Sequence, residues 1–160
     1  MKKVLAIVLA ALLLLAVVGC APKPAEEKKE DDPNAGMPNP VVEVKDAKEF
    51  ETQLGIKLEV PENAEKVVTN IIGGEIAEVR YTSDGEDVIA RASKTTKDYK
   101  VLTGLNGEWS DPIEGTPSTS SCKIDDTDWI VCYWEKDGVT YVVYGTDAIT
   151  VGFEAVIIML

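Results

Sequence analysis

Hydrophobic and polar residues divide the chain into three stretches of different pattern. Within residues 1–19 an unbroken apolar run extends from Val4 to Val18. Residues 20–40 are polar, hold five of the eight prolines and offer almost no side chain to a hydrophobic core. Residues 41–160 show apolar positions at strand and helix spacings without a second break. The pattern therefore predicts one folded domain over 41–160, preceded by a leader (1–19) and a tether (20–40).

The folded stretch opens with a helical pattern. Asp46 and Glu49 have the spacing of a capping box, in which two side chains bind free backbone amides at a helix start. Phe50 and Leu54 fall on one face, and Gly55 stands where the helix should end. The sequence therefore predicts an N-terminal helix over this stretch.

Three β-rich runs follow, separated by the turn dipeptides Gly73-Gly74 and Asp84-Gly85. The runs are 65–72, 75–82 and 86–93. In the second run, Ala77, Val79 and Tyr81 alternate with other residues and should face the core. Three antiparallel strands are predicted.

Residues 94–119 contain three glycines and two prolines and are predicted to form a surface loop. The extended pattern then returns, and Asp137-Gly138 is the strongest hairpin signal in the chain. If this dipeptide occupies the central turn positions, Trp134 lies opposite Tyr141 and the two aromatic rings share a face.

The last segment, residues 147–160, fits two patterns. Alternate apolar residues suit a strand, whereas an apolar stripe at helical spacing, with Asp147 as the cap, suits a helix. The stripe consists of Ile149, Phe153, Val156 and Leu160. The helix is favoured, packed onto the sheet. The elements together predict an α+β fold with an N-terminal helix, an antiparallel meander of about six strands, and a C-terminal helix or strand on the sheet.

The charge balance is strongly acidic and histidine is absent. The chain holds 16 basic and 28 acidic residues, for a net charge of −12. Such a surface repels nucleic acid and anionic lipid headgroups, whose binding needs a basic face. Without imidazole, Ser-His-Asp and Cys-His catalysis and His-ligated zinc sites are excluded. No cofactor is indicated, and a carboxylate pair, a Ser/Lys arrangement or oxygen-ligated calcium stays chemically possible.

The first 20 residues have the order of an export signal. Two lysines precede the apolar run, and Gly19 is the small residue that a signal peptidase requires. The quartet VVGC at 17–20 resembles the bacterial lipobox. This resemblance implies acylation of the Cys20 thiol and a mature chain held on the outer face of the cell membrane. The alternative is a transmembrane helix that stays uncleaved. Such a helix requires roughly 20 apolar residues, and the run from Val4 to Val18 is shorter.

Two further cysteines, Cys122 and Cys132, lie ten residues apart in neighbouring predicted strands. An even spacing places both on one side of the sheet if the turn between them is centred near Thr127. A disulfide is permitted outside the cytosol, and two buried free thiols are the alternative. The spacing leaves both open.

Other motifs have both a functional and a structural interpretation. The acidic cluster at 125–128 offers oxygen ligands to calcium, but the EF-hand glycine and distal glutamate are missing, so a solvated turn is favoured. Trp109, in a glycine-rich stretch, is a candidate contact for a cell-wall glycan, against the usual role of tryptophan in core packing. Glu135 and Asp137 form one of several pairs of acidic residues that could supply the two carboxylates of a glycosidase. In so acidic a chain such pairs also arise by chance.

Three segments resemble one known family. They are QLGIKLEVP at 53–61, IIGGEIAEVRY at 71–81 and YWEKDGVTYVVYG at 133–145. They make most of the folded stretch similar to the domain-of-unknown-function family four-three-six-seven. The resemblance implies an exported lipoprotein, or the extracytoplasmic part of a membrane-bound regulator, in Gram-positive bacteria, and it carries no catalytic residues. The last segment departs from the family, in which a charged amphipathic helix is usual.

These observations favour a lipid-anchored, extracytoplasmic binding or interaction module that is not an enzyme. Its expected partners are the membrane, through the anchor, and a cell-wall glycan or a membrane protein. An extracytoplasmic sensory or regulatory domain that works with a membrane-spanning partner is the alternative. A carboxylate-dependent cell-wall hydrolase is a lesser one.

Overall fold

The alternation of apolar and polar positions produces one antiparallel sheet. The computed structural model describes residues 40–160, which contain eight strands and three helices. The strands are β1 (Val41–Glu43), β2 (Glu65–Ile72), β3 (Ile76–Ser83), β4 (Glu86–Ser93), β5 (Glu108–Trp109), β6 (Ser118–Ile124), β7 (Thr127–Lys136) and β8 (Val139–Gly145). The helices are α1 (Lys48–Leu54), α2 (Tyr99–Thr103) and α3 (Ala148–Met159). The predicted leader and Cys20 lie outside the described residues.

The strand order is β1-β2-β3-β4-β8-β7-β6-β5, so two four-stranded meanders meet where β4 pairs with β8. The prediction of about six strands is wrong in number. β1 has three residues and β5 has two, too few to show an alternating pattern. Helix α1 follows β1 rather than opening the described part of the chain.

Side chains bind the backbone at the start of α1. The Asp46 carboxylate accepts a hydrogen bond from the Lys48 amide at 2.9 Å. The Glu49 carboxylate accepts from the Lys45 amide at 3.0 Å, so the pair does not form the reciprocal box that the spacing predicted. Gly55 ends the helix in the left-handed conformation, at φ 64°, where a side chain is unfavourable.

One face of the sheet, here called the first face, packs against α1 and α3. Ala77, Val79 and Tyr81 of β3 are buried on this face, which confirms the prediction from their alternation. Phe50 of α1 and Val151 of α3 belong to the same buried cluster. This cluster is the larger of two in the described residues, so the first face carries most of the core.

The opposite face, here called the second face, packs against the segment that joins β4 to β6. Its buried residues are Leu102, Val131, Val142 and Tyr144. The prediction of a simple loop over residues 94–119 is wrong, because this segment contains α2 and β5. The Asp98 side chain accepts a hydrogen bond from the Lys100 amide at 2.8 Å and starts α2. The segment therefore covers the second face and buries a second, smaller hydrophobic core.

The β7–β8 hairpin has the predicted register. Asp137 and Gly138 occupy its turn with φ of 53° and 74°, as a two-residue hairpin turn requires. Trp134 lies opposite Tyr141, and their rings stack with centroids 5.3 Å apart. The dipeptide alone was therefore sufficient to fix the pairing.

A buried carboxylate joins three strands on the second face. Glu78 of β3 is fully buried and accepts hydrogen bonds from Asn70 of β2 at 3.0 Å and from Arg80 at 2.8 Å. Arg91 of β4 adds a third donor, with its Nε 2.7 Å and its Nη2 2.6 Å from the carboxylate. Glu78 is thus paired with two guanidinium groups and one amide.

Candidate functional site

The last segment is a helix, which decides between the two patterns that the sequence left open. The Asp147 carboxylate accepts a hydrogen bond from the Thr150 amide at 2.7 Å and caps α3. Hydrogen bonding by Thr150 also lowers the pKa of Asp147. At the other end the Lys136 ammonium donates to the Met159 carbonyl at 3.0 Å, where a cation suits the helix dipole.

Helix α3 turns its smaller residues toward the sheet. Val151 and Ala155 are buried in the first-face core, and Val151 packs beside Gly145 of β8. A side chain at Gly145 would meet the Val151 methyl group at 3.1 Å, so the glycine permits this close approach. Only two residues separate β8 from α3. This short connection restricts which side of the helix meets the sheet.

The one charged residue within α3, Glu154, is also on the packed side. It is fully buried, and its carboxylate accepts hydrogen bonds from the Tyr81 hydroxyl at 3.0 Å and the Ser83 hydroxyl at 2.6 Å. Burial, together with the neighbouring Glu154, raises the pKa of Tyr81. Both carboxylate oxygens therefore have a donor, which offsets part of the desolvation that burial imposes.

The apolar stripe predicted to pack onto the sheet faces solvent instead. Ile149 is 83% exposed, Phe153 58% and Leu160 93%, and Val156 and Ile157 are exposed as well. The stripe prediction is therefore wrong in direction, because the sheet contacts are made by Val151, Glu154 and Ala155. We call the exposed surface the α3 ridge, formed by Ile149, Phe153, Val156, Ile157 and Leu160.

The α3 ridge is continuous and carries no charge. At 3.6 residues per turn its five side chains fall within an arc of about 100°, along a length of about 17 Å. The only charged residue between positions 148 and 160 is the buried Glu154. Water-exposed apolar residues are ordinary when scattered, but a contiguous patch marks an interaction surface. The ridge is therefore the candidate site of this domain.

Two lysines lie at the C-terminal end of the ridge. Lys57 and Lys136 line a cavity of about 110 Å³, together with Ile158 and Leu160 of the helix end. Trp134 and Tyr141 of the β7–β8 hairpin form its wall. Glu59 and Asp137 line the same cavity, and the Lys57 ammonium lies 2.7 Å from the Glu59 carboxylate, so the charges at this end of α3 balance.

The two cysteines lie on opposite faces of the sheet. Cys122 pairs with Trp129, and Cys132 pairs with Thr119 and belongs to the first-face core. The turn is centred between Asp125 and Asp126, not near Thr127, and this shift of register moves one thiol to the other face. Both cysteines are free and buried, so the possible disulfide is not formed in this structure.

Trp109 lies in an aromatic cluster on the second face. Its ring packs edge-on against Tyr99, with centroids 5.5 Å apart, and the Lys100 ammonium lies 5.4 Å from its ring centroid. Tyr99 in turn stacks on Tyr133 at 3.9 Å. The ring is partly buried in packing. A contact with glycan stays a prediction.

The acidic candidates lie at turns and strand ends. Asp125 and Asp137 are turn residues with φ of 52° and 53°. Glu135 lies 3.5 Å from the Lys97 ammonium. Among residues 40–160, no group of three or more cysteine or acidic side chains is arranged to hold a metal ion, and no helix is long and apolar enough to cross a membrane.

The fold and the α3 ridge together define an antiparallel α+β domain with one uncharged helix surface. No protein-family model matches the chain, and no curated protein and no solved structure is similar to it. The resemblance of three segments to family four-three-six-seven therefore stays a prediction.

Proposed function

We propose that this protein is a membrane-anchored extracytoplasmic lipoprotein whose folded domain is a non-catalytic interaction module. The observation that carries the proposal is the α3 ridge, an apolar surface on a domain that is otherwise strongly acidic. Residues 41–160 hold 11 basic and 23 acidic side chains, yet α3 presents none of them to solvent. A surface of this kind is typical of a binding site.

The anchor follows from the sequence before the domain. The leader, Gly19 and Cys20 have the order of a lipoprotein signal, and the first strand begins at Val41. About 20 residues thus separate the predicted lipid from the domain. A coil of this length spans on the order of 25 Å, which allows the domain to contact the membrane or a neighbouring molecule.

The surroundings of the acidic residues support a module without catalysis. Asp125 and Asp137 adopt the left-handed backbone that their turns require, and Glu135 pairs with Lys97 on the surface. Glu78 and Glu154 are fully buried within hydrogen bonds of the fold. These carboxylates have structural roles in the described residues.

Mass spectrometry and membrane fractionation test the anchor. The membrane-bound wild-type chain should begin at Cys20 and carry the mass of acyl chains. Cys20→Ser should release the domain from the membrane fraction or leave the leader uncleaved. Cys122→Ala, which removes a different thiol, should leave processing and retention unchanged. A wild-type chain with an unprocessed amino terminus, or a Cys20→Ser chain that is both cleaved and retained as the wild type is, would refute the proposal.

A further inference from the structure

We propose that the α3 ridge docks onto the lipid bilayer, with its side chains inserted at the boundary between headgroups and acyl chains. This inference deepens the proposed function, because it names the partner of the interaction surface. It concerns a contact made by the folded domain itself, in addition to the predicted lipid on Cys20.

The shape and chemistry of the ridge suit a lipid surface. Five apolar side chains project from one side of α3, and Phe153 and Leu160 are among the residue types found on the membrane side of interfacial helices. Such helices lie in the plane of the bilayer with the apolar side buried roughly 5–10 Å deep. An apolar surface without charge needs no polar partner in hydrocarbon.

The charges around the ridge favour lipid over a second copy of this chain. Each domain carries a net charge of −12 over residues 41–160, so two copies brought together repel each other. A zwitterionic lipid surface does not repel the domain. At the C-terminal end of α3 the charges of Lys57 and Lys136 are balanced by Glu59 and Asp137, so this end of the helix adds no repulsion toward such a surface.

The chain before the domain places the ridge within reach of a bilayer. A lipid on Cys20 holds the domain at the membrane, and so does the alternative of an uncleaved span at residues 1–19. A coil as long as the intervening segment of about 20 residues would span on the order of 25 Å, which would make a ridge–bilayer contact effectively intramolecular. Stable membrane attachment generally combines two such signals.

Flotation with vesicles tests the contact without the anchor. The probe is the non-acylated mature chain, residues 20–160 with Cys20→Ser, mixed with phosphatidylcholine vesicles. The chain should co-float, and Phe153→Ser should lower its partition coefficient about tenfold, as expected when one large apolar side chain is lost from the buried surface. Ile149→Ser should act in the same direction.

The matched control is Val101→Ser. Val101 is 65% exposed on α2, which packs on the second face of the sheet, whereas α3 packs on the first. Its substitution should leave flotation unchanged. Phe153 and Ile149 are also exposed, so their variants should retain the thermal unfolding midpoint of the parent chain, which separates lost binding from lost folding.

Depth-dependent quenching tests the geometry in the acylated full chain. In vesicles of brominated phosphatidylcholine, Phe153→Trp should gain a fluorescence component that the bromine atoms quench. Val101→Trp should gain one that they do not. Equal quenching of both new tryptophans would overturn the proposed orientation.

The outcomes distinguish this inference from the proposed function. If the non-acylated chain fails to float while Cys20 is acylated in cells, the inference is overturned and the proposed function stands. If the non-acylated chain floats while Cys20 of the wild-type chain carries no lipid in cells, the inference stands and the proposed anchor is refuted. A chain that does not float but forms a dimer that Phe153→Ser dissociates would assign the ridge to a second copy.

Discussion

Glu78 and Glu154 are both fully buried, yet the fold holds them in different ways. Glu78 lies on the second face among Asn70, Arg80 and Arg91, so its charge is compensated by two guanidinium groups. Glu154 lies on the first face and accepts hydrogen bonds from two neutral hydroxyls. The two carboxylates therefore illustrate two ways in which a fold can bury an acid. Cations compensate the charge of Glu78, whereas hydroxyl dipoles solvate Glu154.

The difference explains how each glutamate contributes to structure. A buried ion pair recovers the loss of hydration only when every polar atom has a partner, and removal of one partner leaves an uncompensated charge. A carboxylate held by hydroxyls depends instead on the number and alignment of its hydrogen bonds. Glu78 should therefore be more sensitive to loss of a cation, and Glu154 to loss of a hydroxyl.

The largest effect is expected from Arg91→Met. Its side chain is only 13% exposed and binds Glu78 as well as the Leu102 and Thr103 carbonyls. Removing it should lower the free energy of unfolding by about 3–5 kcal/mol. Arg80→Met is the control, since Arg80 binds the same carboxylate but is 53% exposed, and its loss should be no more than about 1 kcal/mol. Equal losses in chemical denaturation would contradict the comparison.

A smaller loss is expected from Tyr81→Phe. The substitution removes one of the two donors to Glu154 while keeping the buried ring. A hydrogen bond to a charged group is worth about 1.5–3 kcal/mol. Tyr141→Phe removes a hydrogen bond to a neutral acceptor, the Lys57 carbonyl, and should lower stability by about 0.5–1.5 kcal/mol. The prediction fails if the two variants unfold at the same denaturant concentration.

Acidification should weaken the fold through Glu78. Burial by itself raises the pKa of Glu78, but hydrogen bonds from Arg80 and Asn70 and the charge of Arg91 outweigh it. The pKa in the folded state therefore lies below the ordinary value of 4.5. A lowered pKa stabilises the folded state above the unfolded-state value, and this stabilisation is lost as pH falls through the folded-state value.

Unfolding measured from about pH 7 to pH 3 checks this dependence. The free energy of unfolding of the wild-type chain should fall on acidification. In Glu78→Gln it should start lower and fall less, because the titrating group is gone. Parallel curves for the two proteins would show that other groups cause the acid dependence.

The smallest effect concerns the two thiols, which divide between the faces as the two glutamates do. Burial raises the pKa of both Cys122 and Cys132, so neither should react with iodoacetamide in the folded state. In denaturant without reductant, a mature chain should take up two labels at these positions. Cys132→Ala should take up one. Absence of labelling until reductant is added would demonstrate a disulfide.

Local patterns predicted the strands well where a turn signal was strong. Asp137-Gly138 fixed the register of Trp134 against Tyr141 because two residues with positive φ determine a hairpin. The two cysteines would share a side only with a turn centred near Thr127. The acidic cluster at 125–128 indicated a turn but did not fix its centre, and one step of register reverses a face.

The orientation of α3 was beyond any local pattern. Hydrophobic periodicity located the helix, but its apolar stripe indicated the wrong side. The buried side contains Glu154, whose partners Tyr81 and Ser83 lie more than 70 residues earlier in the chain. Sequence spacing alone does not reveal such partners. The candidate site was missed for the same reason, since the ridge was assigned to the core.

The pairing of β4 with β8, in which Val88 lies opposite Gly145 and which we call the seam, affects how the chain folds. Every other pairing in this sheet joins two strands that follow one another in strand order along the chain. Each meander can thus assemble from nearby contacts, whereas the seam requires closure of the long connection between them. We expect this closure to limit the rate of folding, and each half to expose an open edge until its counterpart arrives.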